Sequence, residues 1–450
     1  MKEFNFEKLP IVEIANEIIM DAVNKGASDI HFDPSQDSLK IRFRIDGVLS
    51  DYSIVPSKYK RNMISRIKMI AGMNIMETRL PQDGAIKSKI GERFLDLRVS
   101  SLPTNNAEKI VIRILDYSMS LAGLDNLGFS EDAMEKINRL IKIPNGIILV
   151  TGATGTGKST TLYSILQKLN TEEVNIITVE DPVEMDIEGI NQVQTQSEIG
   201  LTFATILRSI LRQDPNIIMI GEIRDDETAR IAVRASITGH LVLSSLHTNN
   251  SLNTIERLTD MDVERYLLGS SLEGIISQRL ARKVCPECSI KRPTTDYERR
   301  VFKTVLGKDI TEMVVANKEG CPKCTHGYKG RLAILEVLVM NEQIKDAITN
   351  GANKNTLREL VYTGDVVTLL QDGLNKVILG ETTFEEILKI VDLENDMTQY
   401  NDDNLKTNLI MAQQAHKEDI KTNDKPITNN INSEFKIEKT NNENVETVEF

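Results

Sequence analysis

The sequence predicts an α/β protein built around a doubly wound, largely parallel sheet, with a smaller α/β domain before it and a four-cysteine insertion within it. Three observations lead to this fold class. Apolar strands alternate with amphipathic helices through the middle of the chain, strands with one charged face occupy the first part, and two C-x-x-C pairs follow the alternating region. The alternation is typical of a sheet covered by helices.

Composition restricts the kinds of partner. The chain has 450 residues, enough for two or three domains, and a net charge of −12. This charge argues against broad electrostatic binding to nucleic acid, so we expect no nucleic-acid partner. No apolar run approaches the roughly 20 residues that a membrane-spanning helix requires, and no signal peptide opens the chain. We therefore expect a cytoplasmic protein that reaches a membrane only through a partner.

The first 117 residues carry the pattern of strands with one solvent-exposed face. Leu39-Lys-Ile-Arg-Phe-Arg-Ile-Asp46 alternates apolar and charged side chains, with the period of two expected of such a strand. Further strands are predicted at residues 95–99 and 110–115, helices at 11–25 and 58–71, and a turn at 80–84. Together these elements predict a small α/β domain over residues 1–117.

After a predicted linker at residues 118–130, strands and helices alternate. Strands are predicted at residues 145–150, 175–179, 217–220 and 240–246, and helices at 203–211 and 226–238. The sheet domain is predicted to span residues 131–395, with residues 331–395 as a C-terminal helical part. Its ligand site is expected at the carboxyl ends of the strands. Residues 396–450 have little apolar periodicity and are predicted to be a disordered tail.

A glycine-rich loop follows the first strand of the sheet domain. Its sequence, Gly152-Ala-Thr-Gly-Thr-Gly-Lys-Ser-Thr160, fits the phosphate-loop pattern G-x-x-x-x-G-K-[ST] in the strand–loop–helix context that this motif requires. Backbone amides would surround the phosphates of ATP, Lys158 would reach the β and γ oxygens, and Ser159 would contribute its hydroxyl to Mg²⁺. The nucleotide-binding candidates are Gly152, Ala153, Thr154, Gly155, Thr156, Gly157, Lys158, Ser159 and Thr160. The alternative is a glycine-rich loop that matches the pattern by chance.

Acidic residues follow two of the predicted strands. Glu180, Asp181 and Glu184 come just after the strand at 175–179, and Glu222 follows Gly221 after the strand at 217–220. Acidic residues in loops are often simply solvated. Beside a phosphate loop, however, carboxylates at adjacent strand ends are available to hold Mg²⁺ and to align a water molecule.

Two of the five histidines flank a single predicted strand. His240 precedes Leu-Val-Leu-Ser-Ser-Leu and His247 follows it, which puts His247 at the carboxyl end, near the expected γ-phosphate. For each histidine the alternative is a structural, hydrogen-bonded role. His247 is the better candidate for a functional one.

The four cysteines form two closely spaced pairs, Cys285-Pro-Glu-Cys288 and Cys321-Pro-Lys-Cys324. Two C-x-x-C pairs match a tetrahedral zinc site, and four thiolates leave no open position for a substrate, so the zinc would be structural. The predicted zinc-binding subdomain covers residues 282–330. Redox-active pairs or free thiols are the alternatives.

Four motifs in order give the chain a family resemblance. The phosphate loop is followed by an acidic box at 177–184, an atypical second nucleotide motif at 211–225 and a histidine box at 238–249. Over roughly residues 10–392 the chain resembles the type II secretion and type IV pilus assembly ATPases, which have a RecA-like P-loop core. In that family, a glycine followed by a glutamate replaces the usual aspartate at the strand end, as Gly221 and Glu222 do here.

The resemblance implies roles for individual residues. Glu222 would activate or position the attacking water, and Glu180 would help to organise Mg²⁺ together with Asp181. Arg98 and Arg113 of the N-terminal, PAS-like domain would reach the phosphates as that domain closes over ATP. The remaining implied nucleotide contacts are Asp181, Arg208, Arg212, Arg224 and His240, with His247 as a further catalytic candidate.

The resemblance also implies a function. The chain would be a cytoplasmic, Mg²⁺-dependent homohexamer that drives an inner-membrane platform protein to extend a type IV pilus. Type II secretion and a competence pseudopilus are alternatives served by the same kind of motor. Two different classes of function also remain: a nucleic-acid motor and a nucleotide-gated scaffold without turnover. The chain starts almost directly at the segment that resembles the family's second N-terminal domain, so the resemblance implies a short form.

Overall fold

Two large β-sheets organise the part of the chain that the computed structural model describes, namely residues 1–90, 93–116 and 123–391. The predicted tail at 396–450 and part of the predicted linker lie outside these residues. Within the described residues, no helix has both the length and the apolar character needed to cross a membrane.

The first sheet is antiparallel and six-stranded, in the order β3-β2-β1-β6-β5-β4. Its strands are β1 (Ala27–Pro34), β2 (Ser38–Ile45), β3 (Val48–Pro56), β4 (Gln82–Ile90), β5 (Arg93–Thr104) and β6 (Ala107–Asp116), and helices α1 (Ile11–Asn24) and α2 (Ser57–Ile70) contact it. Both predicted helices and the predicted strands are present. Strand β4 starts at Gln82, inside the segment predicted to be a turn.

Alternation explains this sheet. The apolar side chains of β2, such as Leu39, Ile41 and Phe43, are buried against the helices, whereas the lysine and arginines between them remain partly exposed. One face of the sheet therefore belongs to the core and the other carries charged side chains.

The second sheet has seven strands in the order β15-β12-β7-β11-β10-β8-β9. Its strands are β7 (Gly146–Thr151), β8 (Ile176–Glu180), β9 (Asn191–Gln194), β10 (Ile217–Ile220), β11 (Leu241–Leu246), β12 (Leu272–Val284) and β15 (Tyr328–Val339). Neighbouring strands are parallel except for β12 and β15. The predicted α/β fold with a largely parallel sheet is thus confirmed.

Helices alternate with these strands and cover the sheet. They are α3 (Glu131–Leu140), α4 (Lys158–Leu169), α5 (Phe203–Ile210), α6 (Asp226–Ile237), α7 (Ser251–Asp260) and α8 (Arg265–Ser271). Every residue of β7, β8, β10 and β11 is buried. Their mainly apolar sequences are those expected of strands buried on both faces.

Strands β12 and β15 form an antiparallel pair that leads into and out of the cysteine-bearing insertion. The insertion holds β13 (Ile290–Pro293), α9 (Asp296–Leu306) and β14 (Glu312–Val315). After β15 come α10 (Glu342–Thr349), α11 (Lys354–Tyr362), α12 (Leu369–Ile378) and α13 (Phe384–Ile390). Residues 331–339 form a strand, although they lie in the part predicted to be helical. The periodicity of a short, buried apolar run does not distinguish a strand from a helix.

Four parallel strands end at one edge of the second sheet. Register pairs Thr151 with Leu246 and Ile220 with Val179, so the segments after β7, β11, β10 and β8 leave the sheet side by side. This edge holds the phosphate loop and both acidic segments, as expected for a doubly wound sheet.

Candidate active site

The glycine-rich loop joins β7 to α4 at the shared edge. Gly155 and Gly157 have φ angles of +80° and +88°, which residues with a Cβ rarely adopt. The Lys158 Nζ donates to the carbonyl oxygens of Gly152 at 2.9 Å and Ala153 at 3.1 Å. Ser159 is exposed at the start of α4, where its hydroxyl could hold a metal ion.

Glu222 lies close to this loop and between two nitrogen-bearing side chains. Its Oε2 is 3.3 Å from the Nε2 of His247, and its Oε1 accepts a short hydrogen bond from the guanidinium of Arg224. Burial alone would raise the pKa of Glu222, but Arg224 and His247 outweigh burial and lower it. The group is therefore a carboxylate at neutral pH.

Lys158 experiences the opposing charge of this carboxylate. Burial lowers the pKa of the Lys158 ammonium below its ordinary value, and the neighbouring Arg279 adds to that effect, while Glu222 acts in the opposite direction. The site thus brings together one cation for phosphate oxygens and one carboxylate for a water molecule.

Gly221 shows why the carboxylate comes from the following residue. Its N–H donates to the carbonyl oxygen of Val179 at 2.8 Å. A Cβ built on Gly221 would lie 3.4 Å from both that oxygen and the Cα of Glu180. A side chain at position 221 would consequently project toward β8, whereas Glu222 reaches His247 after β11.

The acidic box divides into three different environments. Glu180 is buried, where Oε2 accepts a short hydrogen bond from the Tyr163 hydroxyl and Oε1 accepts from Thr178 at 2.6 Å and Gln192 at 3.0 Å. Its carboxylate is therefore held by protein donors and is not brought to Glu222. Burial raises the pKa of Tyr163, and Glu180 raises it further, so the hydroxyl stays protonated as a donor.

Asp181 and Glu184 instead face charged partners. Asp181 is exposed and accepts from Arg224 at 3.1 Å, which joins the acidic box to the segment carrying Glu222. Glu184 accepts from Arg98 of the first sheet, also at 3.1 Å. Both carboxylates lie in the region predicted from the order of the strands.

Two arginines project from neighbouring strands of the first sheet. Arg98 on β5 and Arg113 on β6 are directly opposite one another in register. The exposed Arg113 lies 3.3 Å from Asp29, whereas Arg98 extends to Glu184. The structure thus places one of the two predicted arginines in contact with the core.

The other predicted contacts are less close to the loop. His240 precedes β11, at the opposite end from His247, and its Nδ1 lies 2.8 Å from the carbonyl oxygen of Ala235. Within one chain the structure does not bring His240 to the phosphate loop. Arg208 pairs with Glu227, and Arg212 donates to the Arg208 carbonyl oxygen at 2.6 Å, with both arginines exposed.

The sequence did not predict the buried side chains that form hydrogen bonds to the segments of this site. Tyr163 is buried on α4, and Gln278 and Arg279 are buried on β12. The latter pair did leave a signal, since consecutive polar residues interrupt the apolar middle of the strand. The hydrogen-bond partners of Gln278, however, lie more than a hundred residues earlier in the chain, and that of Arg279 lies 30 residues earlier. The sequence pattern could therefore not identify these partners.

The four cysteines form a compact cluster. All four sulfurs lie within 4.8 Å of one another, and the Cys285–Cys321, Cys288–Cys324 and Cys321–Cys324 pairs are 3.8, 3.7 and 3.6 Å apart. Four sulfurs bound to one tetrahedral zinc at about 2.3 Å would be separated by about 3.8 Å. The cluster could therefore hold a metal ion, and the amide of Cys321 additionally donates to the sulfur of Cys324.

Comparison with known proteins places this geometry among secretion ATPases. A family model described as Type II/IV secretion system protein matches residues 5–389. The chain is 44% identical over 382 residues to the type II secretion system ATPase E of Vibrio cholerae, covering 85% of this chain and 75% of that relative. It is 45% identical over 381 residues to the type IV pilus assembly ATPase PilB of Myxococcus xanthus, covering 84% and 67%.

A solved structure shares the fold. The Legionella pneumophila ATPase DotB superposes with a TM-score of 0.62 at 22% identity, covering 86% of this chain and 97% of that one. The fold of this chain is thus found in an ATPase of low sequence identity.

Proposed function

The chain belongs to the type II/IV secretion system protein family, and on this premise we propose that it is the ATPase that drives extension of a type IV pilus through an inner-membrane platform protein. ATPase activity itself follows from family membership. The relatives' names carry both pathways, so type II secretion or a competence pseudopilus is the alternative use of the same motor.

The contact of Glu222 with His247 and Arg224 beside Lys158 carries the proposed chemistry. Water attacks the γ-phosphorus of ATP, the bond to the β-phosphate oxygen breaks, and a proton from the water passes toward Glu222. Lys158 and the loop amides stabilise the negative charge on the phosphate oxygens. The lowered pKa of Glu222 keeps it ready to accept a hydrogen bond from water.

Mg²⁺ accompanies ATP in this family, and Ser159 is the residue that would hold it. When bound, the ion would neutralise charge on the β- and γ-phosphates. Asp181 is exposed near Arg224 and is the better placed member of the acidic box to assist. Glu180, with its oxygens occupied by Tyr163, Thr178 and Gln192, would act by shaping the segment that carries Asp181.

Movement of the first sheet against the second would convert ATP turnover into work. Arg98 already bridges the two at Glu184, and an exposed Arg113 lies beside it in register. Both guanidinium groups are suited to neutralising the phosphates as the first sheet closes. We propose that six copies act together, with Arg208, Arg212 and Arg224 as further phosphate-region arginines, on the cytoplasmic side of the membrane.

Zinc is proposed as the ion of the cysteine cluster. Its role would be structural, because four sulfurs complete a tetrahedral shell and leave no position for a substrate. The ion would then close the far end of the β12–β15 pair, where Cys285 follows β12 and Cys324 precedes β15.

A deletion strain tests the proposed pathway. The strain would be complemented with the wild-type chain or with Lys158→Ala, and scored for surface pili, secreted proteins and DNA uptake. Loss of pili alone, restored only by the wild-type chain, is the expected result. Loss of protein secretion or of DNA uptake with pili intact would instead assign the motor to the corresponding alternative.

A further inference from the structure

Strand β12 carries three consecutive polar residues through the interior of the second sheet. Ser277 pairs with Thr151, the last residue of β7, Gln278 and Arg279 follow it along β12, and Gln278 is only 3% exposed. Burying an amide costs free energy unless its polar atoms find hydrogen-bond partners. The partners of Gln278 lie on the phosphate loop and on the helix that follows it.

The Gln278 amide makes one hydrogen bond to each side of the Lys158 position. Its Nε2 donates to the carbonyl oxygen of Thr156 at 2.8 Å, and its Oε1 accepts from the hydroxyl of Thr161 at 2.7 Å. The orientation of the amide is set by the carbonyl of Thr156, which can only accept. One side chain therefore joins the last part of the loop to the first turn of α4.

The glycines of the loop are seated directly against the same residue. A Cβ on Gly152 would lie 2.6 Å from the backbone oxygen of Gln278, and one on Gly157 would lie 2.8 Å from its Nε2. These separations are shorter than van der Waals contact. With any residue other than glycine at these two positions, the loop backbone could not approach Gln278 so closely.

Hydrogen bonding at Thr156 fixes the direction of the next amide. In a trans peptide, the carbonyl and the following N–H point in opposite directions. Because the Thr156 carbonyl is held toward β12, the N–H of Gly157 is directed away from β12, toward the opposite side of the loop. An amide held in place before the nucleotide arrives costs less ordering free energy on binding.

We propose that Gln278, acting with Thr161, is a positioning residue that holds the phosphate loop in its ATP-binding conformation. This inference rests on the proposed role of the loop in binding the phosphates. Arg279 extends the same arrangement, since it donates to the backbone and side-chain oxygens of Asn249, at 2.9 and 3.0 Å, in the segment that follows His247. Strand β12 therefore holds both the phosphate loop and the segment after His247.

Substitutions of nearly constant shape test the role of Gln278. Gln278→Glu keeps an acceptor for Thr161 but turns a carboxyl oxygen toward the Thr156 carbonyl. Thr161→Val removes the hydroxyl, while Thr161→Ser retains it. With the full chain and Mg²⁺, the affinity for a fluorescent ATP analogue should fall roughly tenfold or more for Gln278→Glu and Thr161→Val, and stay near wild type for Thr161→Ser.

Steady-state kinetics separate positioning from chemistry. Because the loop holds the phosphates in both the bound complex and the transition state, KM for ATP should rise more than kcat falls. Ser236→Ala is the matched control: it removes a buried hydroxyl that donates to Val233 at 2.7 Å within α6, and it should change stability without changing ATP affinity.

Lys158→Ala distinguishes failure of the inference from failure of the proposed function. If Lys158→Ala binds the analogue as tightly as wild type, the role of the loop itself is wrong. If Lys158→Ala weakens binding while Gln278→Glu and Thr161→Val do not, only the positioning inference is overturned. Equal weakening by Ser236→Ala would also overturn it, because the effect would then be a general loss of folding. Should Gln278→Glu fail to fold, the Thr161 pair decides.

Discussion

At the residue scale, Glu222 owes its ionisation to its neighbours. Burial favours the protonated carboxyl, whereas the guanidinium of Arg224 and the ring of His247 favour the carboxylate and together lower its pKa. A carboxylate in this position can accept a hydrogen bond from water at neutral pH. Its protonation on acidification should remove activity.

Arg224→Gln should therefore shift the pH dependence of ATP hydrolysis. Removing the guanidinium leaves the effect of burial less opposed, so the pKa of Glu222 rises and the acidic limb of kcat/KM moves to higher pH. The measurement is a pH–rate profile of the two proteins. Arg230→Gln, which removes a partly exposed arginine of α6, should leave the limb in place. An unshifted limb in Arg224→Gln would mean that another group titrates.

Individual site residues could be predicted to different extents. His247 follows β11 directly and Glu222 comes two residues after β10, so the topology of a parallel sheet brings them together once the strands are identified. The environment of Glu180 could not be predicted, because it depends on a tyrosine packed beneath it from α4. Sequence position placed Glu180 at the strand end, but not the direction of its side chain.

At the scale of elements, the Tyr163–Glu180 hydrogen bond joins α4 to β8. Tyr163→Phe should lower the free energy of unfolding by about 1–3 kcal/mol, since it leaves a buried carboxylate with one donor fewer. The Tyr163 oxygen also accepts from the backbone N–H of Glu184 at 3.1 Å, which adds to the loss. Urea unfolding followed by circular dichroism measures the change.

Tyr297→Phe is the matched comparison for that experiment. The buried hydroxyl of Tyr297 has no hydrogen-bond partner among the residues that the structure describes. Its removal should therefore leave the free energy of unfolding nearly unchanged. Equal losses for the two variants would contradict the special role of the Tyr163 hydroxyl.

The cysteine cluster makes a second prediction at this scale. Cys321→Ser should abolish stoichiometric zinc and lower the melting temperature, because metal binding to a structural site contributes to folding. Lys323→Gln alters an exposed lysine between Cys321 and Cys324 and should retain the metal. Elemental analysis and thermal melts, with and without a chelator, provide the readouts. A fully reduced wild-type protein without bound zinc would exclude the proposed ion.

The four central parallel strands β7, β8, β10 and β11 were predictable from the sequence, whereas β9, β12 and β15 were not predicted. The spacing of the cysteines predicted the cluster. Residues 282–330, which contain it, lie far from the phosphate loop along the chain. Residues 331–339 fall within the segment predicted to be helical, 331–395, but they belong to β15. Pairing with β12 over most of its length, a non-local contact, makes this segment a strand.

At the scale of the whole molecule, polar contacts join the two sheets at Glu184 and at Asp46, and Asp46 also pairs with Arg331 at 3.8 Å. Arg98 reaches Glu184 at the nucleotide edge, and the backbone N–H of Gly330 donates to Asp46 at 3.0 Å near the cysteine cluster. Asp46 occupies the turn between β2 and β3 with a φ angle of +49°. The hydrophobic patterning along the chain predicted both sheets, but the residues that join them are distant in sequence.

The two substitutions that break the Arg98–Glu184 contact should change the affinity for ATP in opposite directions. If Arg98 moves to the phosphates on nucleotide binding, Glu184→Gln removes a competitor and should tighten ATP binding, whereas Arg98→Gln should weaken it. Both side chains are partly exposed, so each effect should be about fivefold or less. Titration at two salt concentrations measures it. Weaker binding in both variants would show that the ion pair itself supports the nucleotide site.

The most direct test of the account is phosphate release by the purified full-length chain with ATP and Mg²⁺. The wild-type protein should hydrolyse ATP. Glu222→Gln should still bind ATP but hydrolyse it at roughly one hundredth of the wild-type rate or lower, as expected on loss of a general base. Glu256→Gln, which alters a carboxylate paired with Lys354, should behave as wild type. A Glu222→Gln protein that hydrolyses ATP at the wild-type rate would contradict the account.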